Sequence, residues 1–201
     1  MTTQKLIQQG AEAKILLSKD FIIKDRISKG YRHPDLDKKI IKRRTKSETK
    51  ILSKASEIIN SPKPITTIDF NKIKMPYVNG KKLSEHLEKL NHKTICKQIA
   101  NQIATLHDND LIHGDLTTSN MILDKNNNLF FIDFGLGYHS HKIEDKAVDL
   151  HLIRQALEAK HHKIYNECWK TIQQNYSSKD KGLVLAQLEK VEARGRYKKG
   201  H

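Results

Sequence analysis

Apolar and polar residues alternate in short runs at the start of the chain, and the period then lengthens. Residues 5–8, 13–18 and 21–25 are short extended runs that read as strands. Gly10 and the Lys19-Asp20 pair mark the turns between them. Pro34-Asp35 opens a helix predicted to reach about Ile59, because Ile51, Leu52, Ala55, Ile58 and Ile59 recur at helical spacing. Residues 65–69 and 72–77 read as two more strands, closed by Asn79-Gly80. One small sheet carrying one helix is the expectation for this part.

After Gly80 the pattern changes. Residues 83–90 predict a short helix and residues 93–109 a longer one, with Ile95, Cys96, Ile99, Ala100, Ile103 and Leu106 on one face. Residues 111–115 read as turn-like. Residues 121–123 and 129–132 predict a hairpin across 124–128, and 143–193 predict helices. The fold class is therefore α+β with two lobes. Residues 1–79 form a β-rich lobe, 80–190 a helical lobe and 191–201 a tail. A ligand is expected in the cleft between the lobes.

Composition bounds this picture. Ile, Leu, Val and Phe make up about 26% of the 201 residues, above the roughly 20% below which chains tend to stay disordered. Apolar runs reach four residues, as at 129–132, against the ~18 that a membrane span needs. The opening Met-Thr-Thr-Gln-Lys-Leu lacks the apolar stretch of a secretory signal. Two cysteines, Cys96 and Cys168, make no disulfide framework. The expectation is a soluble cytoplasmic protein with no membrane partner. Net charge is +14, and residues 24–54 and 190–201 together carry 12 of that excess. An excess this local suggests a polyanionic partner, nucleic acid first, although Lys-rich helix faces are also common solvated surface. His139, His141, His151, His161, His162 and Cys168 match no regular zinc spacing. Cys96 reads as core and Trp169 as packing.

The chemistry concentrates in His113-Gly-Asp-Leu-Thr-Thr-Ser-Asn120 and Ile132-Asp-Phe-Gly135. Phosphoryl transfer from ATP needs one carboxylate to take the proton of the attacking hydroxyl or to orient a water. It needs a second carboxylate and an amide oxygen to hold Mg²⁺. Asp115, Asp133 and Asn120 supply these in the order of the kinase signature. With a hairpin between the two motifs, the chain resembles a protein-kinase-fold member, in a minimal bilobal form.

A kinase also needs a strand lysine for the α/β-phosphates and a helix glutamate to hold it. Lys24, after Ile22-Ile23, is the lysine candidate. Glu48 shares the apolar face of its helix with Ile51 and Leu52, where a carboxylate is costly without a cation. Lys24 is its natural partner. The alternative is a surface pairing of Glu48 with Arg44 or Lys50. Gly10 and Ala11 lie in the turn before Ala13, where a kinase places its phosphate-covering loop, though one glycine stands where three are usual. Met75-Pro-Tyr-Val-Asn-Gly80 resembles the hinge between lobes. The resemblance implies that the Pro76 carbonyl and the Val78 N–H meet adenine beside Met75. Proline keeps the carbonyl that this needs.

What is missing narrows the function. Gly114, not arginine, precedes Asp115. No Ala-Pro-Glu follows, and Asp149 comes 14 residues after Gly135, which leaves no extended activation segment to dock a peptide. This form resembles the small PRPK-type atypical kinases of the KEOPS complex. The matching pieces are Gly10-Ala-Glu-Ala13, Arg43-Arg-Thr-x-x-x-Glu, Met75…Gly80, the two catalytic motifs, Glu144-Asp-Lys-Ala-Val-Asp149 and Arg194-Gly-Arg196. They span nearly the whole chain, which departs from the family at Pro76, where Glu is common. The resemblance implies an ATPase or weak Ser/Thr kinase using ATP and Mg²⁺. It implies as partners a threonylcarbamoyltransferase subunit, other KEOPS subunits, and tRNA met by the basic tail (Arg194, Arg196, Lys198, Lys199) and the basic helix. A small-molecule phosphotransferase with the same His-Gly-Asp motif is the alternative enzyme, but few residues follow Gly135 to build a substrate-binding insertion. A RIO-type kinase is the nearer relative, with an extra winged-helix module that has no counterpart here. A nucleotide- and RNA-binding scaffold without turnover is the non-enzymatic alternative.

Overall fold

The structure, a computed structural model, describes residues 4–197, at 66–68 and 195–197 for the backbone alone. Strands β1 (Lys5–Gln9), β2 (Ala13–Ser18), β3 (Phe21–Arg26), β4 (Thr66–Asp69) and β5 (Lys72–Pro76) form one antiparallel sheet in the order β1-β2-β3-β5-β4. The long helix α1 (Pro34–Ile58) crosses from β3 to β4. Pro34 sits in its first turn, where a missing N–H costs nothing. The α1 residues Ile41, Thr45, Glu48, Leu52 and Ala55 are buried, stepping by three or four so that they share one face.

From Gly80 on, helices dominate. β6 (Gly80–Lys82), β8 (Met121–Asp124) and β9 (Leu129–Phe131) make a three-stranded sheet, and β7 (Leu111–Ile112) pairs with β10 (Tyr138–His139). Between and after them run α2 (Leu83–His86), α3 (His92–Asp108), α4 (Ile143–Lys160), α5 (Tyr165–Asn175) and α6 (Lys181–Tyr197). The Asn91 side chain caps α3 by accepting from the Thr94 N–H at 3.2 Å. The predicted face of α3 is fully buried, Cys96 included.

Three local readings change. The segment 83–90 is one α turn followed by a 3₁₀ turn (Leu87–Lys89). Segment 111–115 is no mere turn, since Leu111 and Ile112 pair with His139 and Tyr138. Asn79-Gly80 does not only end a sheet, because Gly80 starts β6 by pairing with Asp124. A Cβ at Gly80 would lie 2.3 Å from the Leu123 carbonyl oxygen, so only glycine lets these strands close. Two-residue and backbone-only pairings leave no periodic signal.

One apolar cluster runs from Ile51, Leu52, Ala55 and Ile73 through Met75 into Leu83, Ile99, Phe131 and Phe134. The two halves thus share a core, and the sheet, α1 and the loops at 113–120 and 132–137 close on one cleft.

Candidate active site

Alternation along β3 puts Lys24 and Arg26 on one face of the strand, both only 7% exposed. Opposite them α1 presents Glu48, 1% exposed. Lys24 Nζ donates to Glu48 Oε1 at 2.7 Å and to Asp133 Oδ1 at 2.7 Å. Arg26 Nη2 donates to Glu48 Oε2 at 2.5 Å. The surface pairings open to Glu48 are not used, and Arg44 reaches Glu12 instead. Burial works against the Lys24 ammonium, but Glu48 and Asp133 outweigh it and hold its pKa above the ordinary lysine value. Burial pushes the Asp133 carboxyl up, while Lys24 and the Gly135 N–H pull it further down, below the usual carboxylate range.

Asp133 has φ of 62°, a left-handed conformation rare for a residue with a Cβ. It aims the carboxylate at Lys24 while Phe134 is fully buried against the His113 ring, 4.4 Å between centroids. The following turn is tight, since Gly137 N donates to Phe134 O at 2.9 Å. A Cβ at Gly137 would come within 2.9 Å of Ile51 of α1.

The loop at 113–120 is held from beneath. Asp149 of α4, fully buried, accepts from the N–H groups of His113 (2.7 Å) and Gly114 (2.8 Å). Gly114 has φ of +77°, and a Cβ there would lie 2.4 Å from the Leu136 carbonyl oxygen. The absence of arginine before Asp115 thus has a steric cause. His113 Nδ1 accepts from the Asp115 N–H at 3.3 Å, and its Nε2 faces the Ile132 carbonyl at 3.2 Å. A carbonyl only accepts, so Nε2 carries the proton and the ring is neutral. One buried histidine therefore ties Asp115 to the residue before Asp133, and both carboxylates act on it.

Burial depresses the His113 pKa, against the opposing pull of Asp149, Asp133 and Asp115. His161, bonded to Thr118 at 3.1 Å, is depressed by burial as well. The unfolded chain then takes these protons first, near pH 6.5, so stability is full above that pH and falls as pH drops below it. The urea midpoint is expected to fall between pH 7 and pH 5.5, with a shallower slope in His113→Gln; a flat profile would contradict this.

Asn120 Nδ2 donates to the Asp115 carbonyl (3.0 Å) and to Asp115 Oδ2 (2.8 Å). Both partners are acceptors, which fixes the amide orientation and leaves its oxygen free to bind a cation. Asp133 Oδ2 makes no hydrogen bond among the described residues. A carboxylate and an amide oxygen from adjoining loops fit a hard, oxygen-seeking divalent ion.

At the edge of the cleft Met75 is buried and Pro76 exposed. Tyr77 N–H donates to Asp20 O at 2.8 Å, and the Val78 N–H has no partner among the described residues. Gly10 and Ala11 are exposed in the β1–β2 turn, closed by Gly10 N–H donating to Ala13 O at 3.0 Å. Lys29 holds the Ala11 carbonyl, and Arg44 of α1 holds Glu12 at 2.7 Å. Arg194, by contrast, lies on α6 and pairs with Glu144 at the start of α4, 2.5 Å away. The Arg196 side chain, Lys198 and Lys199 lie outside the described residues.

The histidines weighed for a metal are dispersed. His139 meets Lys54, His141 meets Asp110, and Cys168 is buried in the core with Cys96. Arg26 is the site residue that sequence reasoning passed over. Its signal was there, since it lies two positions after Lys24 on the same strand face.

Residues 18–142 match the model of the RIO domain. Over 213 residues the chain is 40% identical to the KEOPS complex subunit Bud32 of Pyrococcus abyssi, covering 96% of both proteins. It is 39% identical to the EKC/KEOPS complex subunit bud32 of Dictyostelium discoideum, covering 96% of this chain and 83% of that one. A probable bifunctional tRNA threonylcarbamoyladenosine biosynthesis protein of Methanococcus vannielii is 42% identical, but only 36% of its length is covered. The crystal structure of the Rio2 kinase–ADP/Mg²⁺–phosphoaspartate complex from Chaetomium thermophilum superposes with a TM-score of 0.66 at 15% identity, over 98% of this chain and 71% of that one. The fold is thus the bilobal kinase-like one, without an extended segment between Gly135 and α4. The chain belongs to the RIO-domain family of atypical kinases, and within it to the Bud32 group.

Proposed function

We propose that the chain is an ATP-hydrolysing atypical Ser/Thr kinase, acting as a KEOPS subunit in support of threonylcarbamoyl modification of tRNA adenosine. The observation that carries this reading is Lys24 placed 2.7 Å from both Glu48 and Asp133, with the Asn120 amide on Asp115 in the adjoining loop. In this reading the lobes divide at 79/80, and the basic segment from 191 begins inside α6, which continues to Tyr197.

Magnesium held by the Asp133 carboxylate and the Asn120 amide oxygen would neutralise charge on the phosphates. Lys24 would pair with phosphate oxygens while Glu48 keeps it in place. Asp115 would orient the attacking water or hydroxyl and take its proton; its carboxylate is already fixed by Asn120. The Pro76 carbonyl and the Val78 N–H would hold adenine next to Met75, and the Gly10-Ala11 turn would cover the phosphates. Slow, magnesium-dependent ATP hydrolysis is the expected activity. It should rise when the threonylcarbamoyltransferase partner and tRNA are added together. Fast, partner-free phosphorylation of small alcohols would instead support a small-molecule phosphotransferase.

The helix and the tail supply the tRNA surface in this reading. Two of the four acids on α1 are buried and internally paired, Asp37 with Arg32 and Glu48 with Lys24 and Arg26. Its exposed face is therefore more basic than the sequence count suggests. Lys42, Lys46, Lys50 and Lys54 line a groove of about 740 Å³ with Phe70 at its edge. Lys42→Ala/Lys46→Ala/Lys50→Ala is expected to weaken tRNA binding about tenfold near 0.1 M salt and to flatten the log–log salt dependence by roughly 2. Unchanged affinity and slope would remove the helix from the interface.

A further inference from the structure

The two cations of β3 have different duties. Lys24 is shared between Glu48 and Asp133, whereas Arg26, among the described residues, pairs with Glu48 alone. Each oxygen of the Glu48 carboxylate has its own cation, Lys24 on Oε1 and Arg26 on Oε2. Two carboxylates and two cations leave the cluster neutral. Without Arg26, one buried ammonium would balance two carboxylates, and Glu48, at 1% exposure, is the one with no water to fall back on.

Arg26 is not there for packing. Its Nε is buried and makes no hydrogen bond among the described residues, a cost that an apolar side chain of similar length would avoid. It also lies beside the metal-binding loop. A Cβ built on Gly135 would sit 3.6 Å from both Arg26 Nη2 and Lys24 Nζ.

We propose that Arg26 is a positioning residue for nucleotide binding: it keeps Glu48 paired and fixed on the inner face of α1, so that Lys24 can turn from Asp133 to the phosphates without leaving a buried carboxylate unpaired. This rests on the nucleotide reading above. Lys24 alone would have to choose between steadying α1 and meeting the ligand. With Arg26 in place Glu48 stays anchored in both states, and α1 with it.

The test is a cycle on the full chain: Arg26→Lys, Arg26→Met, Glu48→Gln, and Arg26→Met with Glu48→Gln. Magnesium-ATP affinity is read by calorimetry, KM and kcat by turnover, and melting temperature without nucleotide. Arg26→Met is expected to weaken magnesium-ATP binding about tenfold and to raise KM more than it lowers kcat. Arg26→Lys should restore affinity to within about threefold. On the Glu48→Gln background, adding Arg26→Met should change affinity less than about twofold, because the charge it serves is gone. Without nucleotide, Glu48→Gln should recover part of the melting temperature that Arg26→Met loses. Wild-type affinity in Arg26→Met would overturn the proposal. So would a loss that multiplies fully with that of Glu48→Gln, or a lower melting temperature with unchanged affinity. Wild-type protein that binds no magnesium-ATP would overturn the nucleotide reading itself. The melting cycle would still decide whether Arg26 serves Glu48.

Discussion

Asp133→Asn is expected to lower magnesium-dependent ATP turnover by on the order of 10²- to 10³-fold while leaving the fold intact. Asparagine is the right replacement because it tolerates the left-handed backbone that Asp133 adopts, with φ of 62°. Alanine would add backbone strain to the lost charge. The carboxylate is 45% exposed on its side chain, and Lys24 keeps Glu48 as a partner when it goes. The melting temperature should therefore move by only a few degrees. Turnover is measured as phosphate release with partner and tRNA present. Wild-type turnover in this variant would remove Asp133 from the chemistry.

The largest expected effect on stability lies one layer deeper, at Asp149. Its carboxylate accepts from two backbone N–H groups of the loop at 113–120 and lies 3.4 Å from His107 Nε2. His107 Nδ1 meets the buried Tyr176 hydroxyl at 2.8 Å. Asp149→Ala would leave one buried and one half-buried donor unpaired and empty the space around them. The expected cost is about 3–5 kcal/mol. Charge-assisted bonds are roughly twice as strong as neutral ones, so Asp149→Asn should recover only part of that loss. The measurement is urea unfolding followed by far-UV circular dichroism. Turnover should fall further than global stability explains, because Asp115 rides on the loop that Asp149 anchors. A variant within 1 kcal/mol of wild type would mean that solvent or another side chain takes over both N–H groups.

Much of this was legible in the chain. Helix α1 announced itself through Pro34 and the spacing of Ile51, Leu52 and Ala55, and Glu48 fell on its inner face by the same count. The kinase-like loops were legible because Asp115, Asn120, Asp133 and Gly135 stand at fixed separations. The rest depends on contacts distant in sequence. β7 and β10 pair over two residues each, too short for any period to show. β6 has no buried residue, so its pairing with β8 is a backbone matter. Arg26 shares a strand face with Lys24, but its partner Glu48 lies 22 positions away and meets it only when α1 packs on the sheet. Gly114 was read as a missing arginine. The approach of Leu136, which excludes any side chain there, appears only in three dimensions.

The most direct test of the whole account is where a metal–nucleotide complex sits. Mn²⁺·ATP titrated into ¹⁵N-labelled chain bleaches the amide signals nearest the metal. Signals from Gly114, Asp115, Asn120 and Gly135 should fade first, with the effect abolished in Asp133→Asn. Bleaching centred on another face, or none at all, would contradict the claim that these two loops form a phosphoryl-transfer site.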